Sequence, residues 1–137
     1  MATKFTGGCQ CRDVRYEVMG PPRQLVVCHC SDCQRQSGSA FGMTLVVSEA
    51  DFRLIQGELK TFTSTAETGR AKLGAFCPRC GTRIYHKPKW RRGTVSVKPG
   101  TLDDTSGLTP DTHIWTRSRQ PWVTIPKGVV AHETQPS

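Results

Sequence analysis

Residues 76–82 read Phe76-Cys77-Pro78-Arg79-Cys80-Gly81-Thr82, and this spacing decides the fold. Two cysteines separated by two residues and followed by glycine make a zinc knuckle. The turn lets both sulfurs point at one ion while its backbone N–H groups face the thiolates, and Gly81 supplies the permissive backbone. A knuckle contributes two ligands whereas a structural zinc takes four, so another part of the chain must supply the second pair. The other five of the seven cysteines fall in two clusters, Cys9-Gln10-Cys11 and Cys28-His29-Cys30-Ser31-Asp32-Cys33.

Two partitions are open. In the first, Cys9 and Cys11 join Cys77 and Cys80, leaving Cys28, Cys30 and Cys33 as a three-thiolate set. In the second, the knuckle takes two of the middle three and strands the rest. The first is preferred because it uses every cysteine. It also gives one closed site and one with a position free for water or substrate. The closed site ties the start of the chain to a hairpin about seventy residues later, so metal binding becomes folding free energy. The middle cluster has two further readings: a closed zinc site completed by a histidine from elsewhere, and a thiol redox pair of Cys30 and Cys33.

The 137 residues fit one domain, taken as 1–137 with an irregular C-terminal tail from about 127. The hydrophobic share is 36% and includes the cysteines, so the apolar supply is thin and metal is expected to help hold the fold. The beginning, MATKFTGGCQC, has no apolar stretch of signal-peptide type, and no run is long enough to span a membrane. A cytoplasmic location is the expectation, and there closely spaced cysteines read as metal-binding or redox-active. The formal charge is +8. Seven thiolates around two Zn²⁺ would bring the working charge to about +5.

The texture is that of a β protein, with short Val-, Ile-, Thr- and aromatic-rich stretches between Gly and Pro. Strands are expected at Val14–Met19, Gln24–Cys28, Phe41–Val47, Phe52–Gln56, Lys60–Thr63, Lys72–Phe76, Thr82–His86 and Thr94–Lys98. One short helix is expected at Ser31–Gln36, capped by Ser31 or Asp32 and ended by Gly38, with a helical turn at Ser48–Asp51. From Asp103 onward, with four prolines, the chain reads as irregular, and His132–Ser137 as frayed.

Four segments together resemble the glutathione-dependent formaldehyde-activating enzyme family, whose relatives include the centromere protein V group. They are Gly7-Gly8-Cys9-Gln10-Cys11, the run from Cys28 to Phe41, Phe76-Cys77-Pro78-Arg79-Cys80-Gly81-Thr82, and His113-Ile114-Trp115 followed by Pro121-Trp122. The resemblance covers about residues 5 to 125. It implies a mainly β, β-tent-type fold of antiparallel sheets around a structural zinc, with little helix. It implies that Cys9, Cys11, Cys77 and Cys80 hold that zinc, and that Cys28, Cys30 and Cys33 form a second, catalytic zinc site. The implied activity is a carbon–sulfur lyase reaction joining glutathione and formaldehyde into S-(hydroxymethyl)glutathione.

A three-thiolate zinc can bind a thiol as fourth ligand, polarise a small carbonyl or activate water. His29, between two ligands, is a candidate to orient reactants or move a proton, and otherwise a supporting or surface residue. His113 and Trp115 are candidates for the pocket wall or the core. Between Arg70 and Lys98 lie nine basic residues and no acid. This segment reads as a solvated face, as a docking surface for an anionic small molecule such as glutathione, or as a nucleic-acid contact. The competing functions are a zinc-stabilised binding module for an anionic ligand or nucleic acid, and a zinc or thiol carrier.

Overall fold

The computed structural model describes residues 4–65 and 69–136, so Ser137 at the end of the expected tail lies outside them. Two sheets organise the chain. The smaller holds β1 (Lys4–Gly8), β2 (Arg15–Met19) and β5 (Phe52–Gln56), in the order β1-β2-β5 and antiparallel throughout. The larger contains β3 (Gln24–Cys28), β4 (Gly42–Ser48), β6 (Lys60–Thr65) and β7 (Ala71–Phe76). It continues with β8 (Arg83–Pro88), β9 (Thr94–Val97), β10 (Thr112–Ile114) and β11 (Val130–Ala131). Its order is β11-β10-β3-β4-β9-β8-β7-β6, antiparallel except where β10 runs parallel to β3 and β11. This is the mainly β architecture with antiparallel sheets that the sequence implied. The helix α1 spans Ser31–Ser37.

Strand alternation places the core. Val14, Tyr16 and Val18 face Leu25, Leu45, Val47, Val95 and Val97 of the larger sheet, all of them buried. These side chains repeat every second residue, as a sheet with one covered face requires. Tyr16 stacks on Phe52 at 5.3 Å between centroids, and Phe52 meets Tyr85 edge-on. The smaller sheet therefore covers one face of the larger. The other face is left for the site described below.

Three strands lie where none was expected. Lys4–Gly8 carries two glycines and reads as loop, yet it pairs residue for residue with β2 from Lys4↔Met19 to Gly8↔Arg15. Its glycines serve packing: a Cβ on Gly7 would stand 2.5 Å from both the Thr101 carbonyl oxygen and the Tyr16 hydroxyl. Tyr16 in turn shares a 2.7 Å hydrogen bond with Thr101 Oγ1. Gly7→Ala is accordingly expected to cost about 1–3 kcal/mol by overpacking, read as a lower urea midpoint of the zinc-loaded protein at unchanged slope. A midpoint equal to the parent's would show that β1 does not press on β2 as described.

The other two unexpected strands, β10 and β11, lie in the region read as irregular. β10 has three residues and β11 two, too short for a periodic pattern to show, and both are held by parallel partners distant in sequence. The cap of the helix is Cys30, not Ser31 or Asp32: the Cys30 sulfur accepts the N–H of Cys33 at 3.3 Å. Gly38 ends it at φ 62°, in the left-handed region that glycine tolerates. The turn expected at Ser48–Asp51 is a 3-10 turn over Glu49–Asp51.

Candidate metal centres

The knuckle and the N-terminal pair meet at one end of the core. Cys77 lies directly after β7, where its N–H donates to the Thr82 carbonyl and the Gly81 N–H returns to Cys77 O. Cys9 lies directly after β1, and its sulfur accepts the Val14 N–H at 3.2 Å. Cys9 Sγ is 3.5 Å from Cys11 Sγ, which is 3.7 Å from Cys77 Sγ, and all four sulfurs including Cys80 lie within 4.8 Å of one another. Four sulfurs placed tetrahedrally at about 2.3 Å from a zinc stand about 3.8 Å apart, and a disulfide would need about 2 Å. The spacing is that of metal ligands, and all seven cysteines are free thiols.

Hydrogen bonds already favour thiolate at two of these positions. The hydroxyl and backbone of Thr82 hold the Cys80 thiol down at about 5. Burial pushes the Cys9 thiol up, but the Val14 N–H and the neighbouring sulfurs outweigh it and leave it lowered. Cys11 is favoured as thiolate by the Asp13 backbone, yet burial and the three sulfurs beside it raise it to about 12. Such a set charges fully only around a cation.

The second cluster stands at the C-terminal end of β3. Cys28 closes the strand, Cys30 caps α1 and Cys33 is the buried residue of its first turn. Their sulfurs also lie within 4.8 Å of one another, and Trp115 with Ile114 packs against them. Trp115 reaches that position with a left-handed backbone, φ 57°, unusual for a bulky residue. Hydrogen bonds from Cys28 and Cys33 hold Cys30 at about 2 against the opposing effect of burial. Cys28 is driven upward by the sulfurs of Cys30 and Cys33 and by burial. Cys33 is drawn down by Cys28 but carried to about 11 by Cys30 and burial. One thiolate held by two thiols is a soft donor set, suited to a thiophilic divalent ion such as zinc. Among the described residues, these two groups are the candidate metal centres.

Cys9 of the first centre borders a cavity with Arg12, Arg15 and Asp103, and the second centre opens onto a different pocket. A cavity of about 300 Å³ lies over the uncovered face of the larger sheet, with Cys28 and Cys33 in its wall. The sheet register builds its floor: Val26 pairs with Thr44, Ser96 with His86, and Lys72 lies beyond on β7. Arg91 and Trp90 form one rim and His132 and Gln135 another. The C-terminal residues are therefore tied in. The His132 N–H donates to His113 O at 2.9 Å, His132 O accepts from Thr116, and Trp115 Nε1 donates to Gln135 Oε1 at 3.2 Å. The sequence reads His132–Ser137 as frayed, since nothing in a polar stretch signals backbone partners, but the His132 backbone is bonded on both sides.

The histidines exchange roles relative to expectation. His29 is fully buried and turns away from the pocket, its Nε2 2.9 Å from His113 Nδ1 and its ring stacked on that imidazole. His113 pairs with Val27, one step off the Ile114↔Cys28 pair, so both rings lie on the face opposite the Cys28 sulfur. Trp115 packs on the sulfurs as an apolar backing and is not in the pocket wall. Besides the exposed His132, the imidazole in the pocket wall is that of the buried His86. Its Nε2 is 3.0 Å from Arg83 Nη1, and a guanidinium can only donate, so Nε2 accepts and the proton sits on Nδ1. Burial, followed by the charges of Lys98, Lys72 and Arg83, lowers its pKa to about 2. His86 is thus a neutral hydrogen-bonding group across the working pH range.

The basic segment divides. Arg79 pairs with Asp13 and Lys87 with Glu49, both away from the pocket. Lys72 and Arg91 line it, and Arg83 reaches toward it across Gly74, where a Cβ would collide with its guanidinium. No helix among the described residues is long and apolar enough to cross a membrane.

A family model described as "Glutathione-dependent formaldehyde-activating enzyme" matches residues 4–118. A crystal structure of a protein from Rhodobacter sphaeroides is similar in fold, with a TM-score of 0.60 over 93% of this chain and 98% of that one, at 21% identity.

Proposed function

Because the chain belongs to the glutathione-dependent formaldehyde-activating enzyme family, we propose that it is a zinc-dependent carbon–sulfur lyase-type enzyme. It acts on the adduct of glutathione, or another small thiol, with a small aldehyde. The observation that carries this reading is the pocket onto which Cys28 and Cys33 open, whose wall also holds Lys72, Arg91 and the buried His86. Two zincs per chain follow. One is structural, held by Cys9, Cys11, Cys77 and Cys80, and one has an exchangeable fourth position at Cys28, Cys30 and Cys33. Zinc bound at the second cluster supplies a Lewis acid that lowers the pKa of a thiol or polarises a carbonyl.

The chain's own residues supply the rest. Lys72 and Arg91 hold the carboxylates of the thiol so that its sulfur lies at the cluster. In the forward reaction the sulfur's electron pair forms the S–C bond, the C=O π pair moves to oxygen, and that oxygen takes the thiol's proton. Thiol and aldehyde thus combine with nothing left over. His86, neutral and protonated on Nδ1, donates a hydrogen bond to an oxygen in the pocket without itself becoming a cation. Trp115 keeps water from the back of the cluster. The reading places the enzyme in the cytoplasm, where seven thiols stay reduced. The split of the basic segment between two faces favours a small anion in the pocket over a polyanion along a continuous stripe.

Cobalt substitution tests this directly. The four-sulfur site is saturated, so any change in the visible spectrum reports the three-sulfur site. Glutathione is expected to shift the cobalt bands, and formaldehyde added afterwards to shift them again. A spectrum indifferent to both would sink the lyase reading and leave a zinc carrier or binding module.

A further inference from the structure

β4 begins at Gly42, directly across from Cys28 in the antiparallel register. A Cβ built there would stand 3.2 Å from Cys33 Cβ and 3.6 Å from Cys33 Sγ, and 3.3 Å from Lys98 Nζ. The ammonium of Lys98 and the sulfur of Cys33 therefore occupy two sides of one missing methyl group. Their separation cannot exceed the sum of the 3.3 and 3.6 Å legs that meet there. Lys98 follows β9 and is half-buried. Among the described residues four ion pairs join bases to acids, and Lys98 is in none of them. Burial lowers its pKa, while the sulfurs of Cys33 and Cys28 favour its charged form.

We propose that Lys98 is the counter-cation of the Cys28–Cys30–Cys33 cluster, a positioning residue that lets three buried thiolates hold a divalent metal. The inference rests on reading that cluster as a metal site. Three thiolates around a dication carry a net charge of −1. An anionic fourth ligand takes that to −2, and a charge of this kind inside a protein requires a partner. Between Cys28 and Cys33 there is no lysine or arginine. The fold supplies one from a strand sixty-odd residues away, through a gap that only glycine leaves open. Lys98 thereby works on the metal by charge, as residues hydrogen-bonded to metal ligands do elsewhere.

The experiment is a chelator competition on the full chain loaded with cobalt or zinc, comparing the parent with Lys98→Met and Lys98→Arg. Lys98→Met is expected to weaken the three-sulfur site by about ten- to hundredfold, the range typical of such supporting residues. Lys98→Arg restores most of the affinity because it restores the charge. The four-sulfur site keeps its metal in all three proteins and reports that they are folded. Equal affinity of parent and Lys98→Met at the three-sulfur site would overturn the counter-cation while leaving the metal reading intact. A loss that arginine fails to restore would likewise overturn it, because packing and not charge would then be responsible. A parent that binds one metal per chain would overturn the metal reading and the counter-cation together. If the affinities behave as expected but glutathione never perturbs the cobalt spectrum, Lys98 stands and the thiol chemistry falls.

Discussion

With serine at position 77, the chain is expected not to fold at neutral pH, whatever the zinc concentration. Cys77 is fully buried within the core cluster that includes Val14, Ile84 and Leu102, and its sulfur is 3.7 Å from that of Cys11 across 66 residues of sequence. Structural zinc contributes about 10–16 kcal/mol of apparent binding free energy in zinc-finger peptides, and that becomes folding free energy. A domain's whole net stability is about 5–15 kcal/mol, and this core is small for the surface it must hold together. Three remaining sulfurs bind the ion more weakly, and the serine hydroxyl would lie buried beside a metal that prefers sulfur. Circular dichroism and amide dispersion in the NMR spectrum would show the loss. Stripping the parent with excess chelator should give the same unfolded spectrum, which separates ligand loss from the burial of a hydroxyl. A Cys77→Ser protein melting within a few degrees of the parent would show that this cluster does not hold the fold.

The two cysteine groupings were legible in the sequence because short-range spacing is a local property. Cys-x-x-Cys with Gly81, Cys-x-Cys at 9–11 and the triplet at 28–33 each describe a turn, and the partition that used every cysteine is the one that brings the sulfurs together. Strands with a covered face were legible for the same reason: Arg15–Met19, Gln24–Cys28 and Thr94–Val97 carry their apolar residues on alternate positions or as buried runs. What could not be read was pairing between distant segments. β1 looks like a loop until Tyr16 is placed over Gly7. His86 enters the pocket because Ser96 lies beside it in the next strand, and His132 because its backbone bonds to His113 and Thr116. His29 sits between two candidate ligands, Cys28 and Cys30. Neighbours in sequence on a strand point to opposite faces, and that alternation, visible in Val27-Cys28-His29, was the signal for placing it away from the Cys28 sulfur. Lys98 was legible only as one of the nine bases of its segment, because its proximity to Cys33 depends on an absent side chain at Gly42.

Cys30→Ser should separate the two centres. The serine variant is expected to fold, to bind one zinc where the parent binds two, and to lose turnover of the thiol–aldehyde adduct by about a thousandfold or more. That magnitude follows from the several kcal/mol that a Lewis acid contributes to a carbonyl reaction, at 1.36 kcal/mol for each factor of ten. Folding survives because Cys28, Cys30, Cys33 and Trp115 form a small cluster of their own, apart from the main core between the sheets. A serine hydroxyl at position 30 can still accept the Cys33 N–H that the sulfur accepts now, so the start of α1 keeps its cap. The variant thus removes a metal ligand while preserving the hydrogen bond that positions the next one, which is why Cys30 discriminates better than Cys28 or Cys33. Metal per chain, measured by elemental analysis after extensive dialysis, gives the first half of the answer, and a glutathione–formaldehyde assay gives the second. Retention of two zincs would mean that the three sulfurs are not a ligand set. Loss of one zinc together with loss of fold would exchange the labels, making the triplet the cluster that holds the protein together and directing the search for chemistry to the other end of the core.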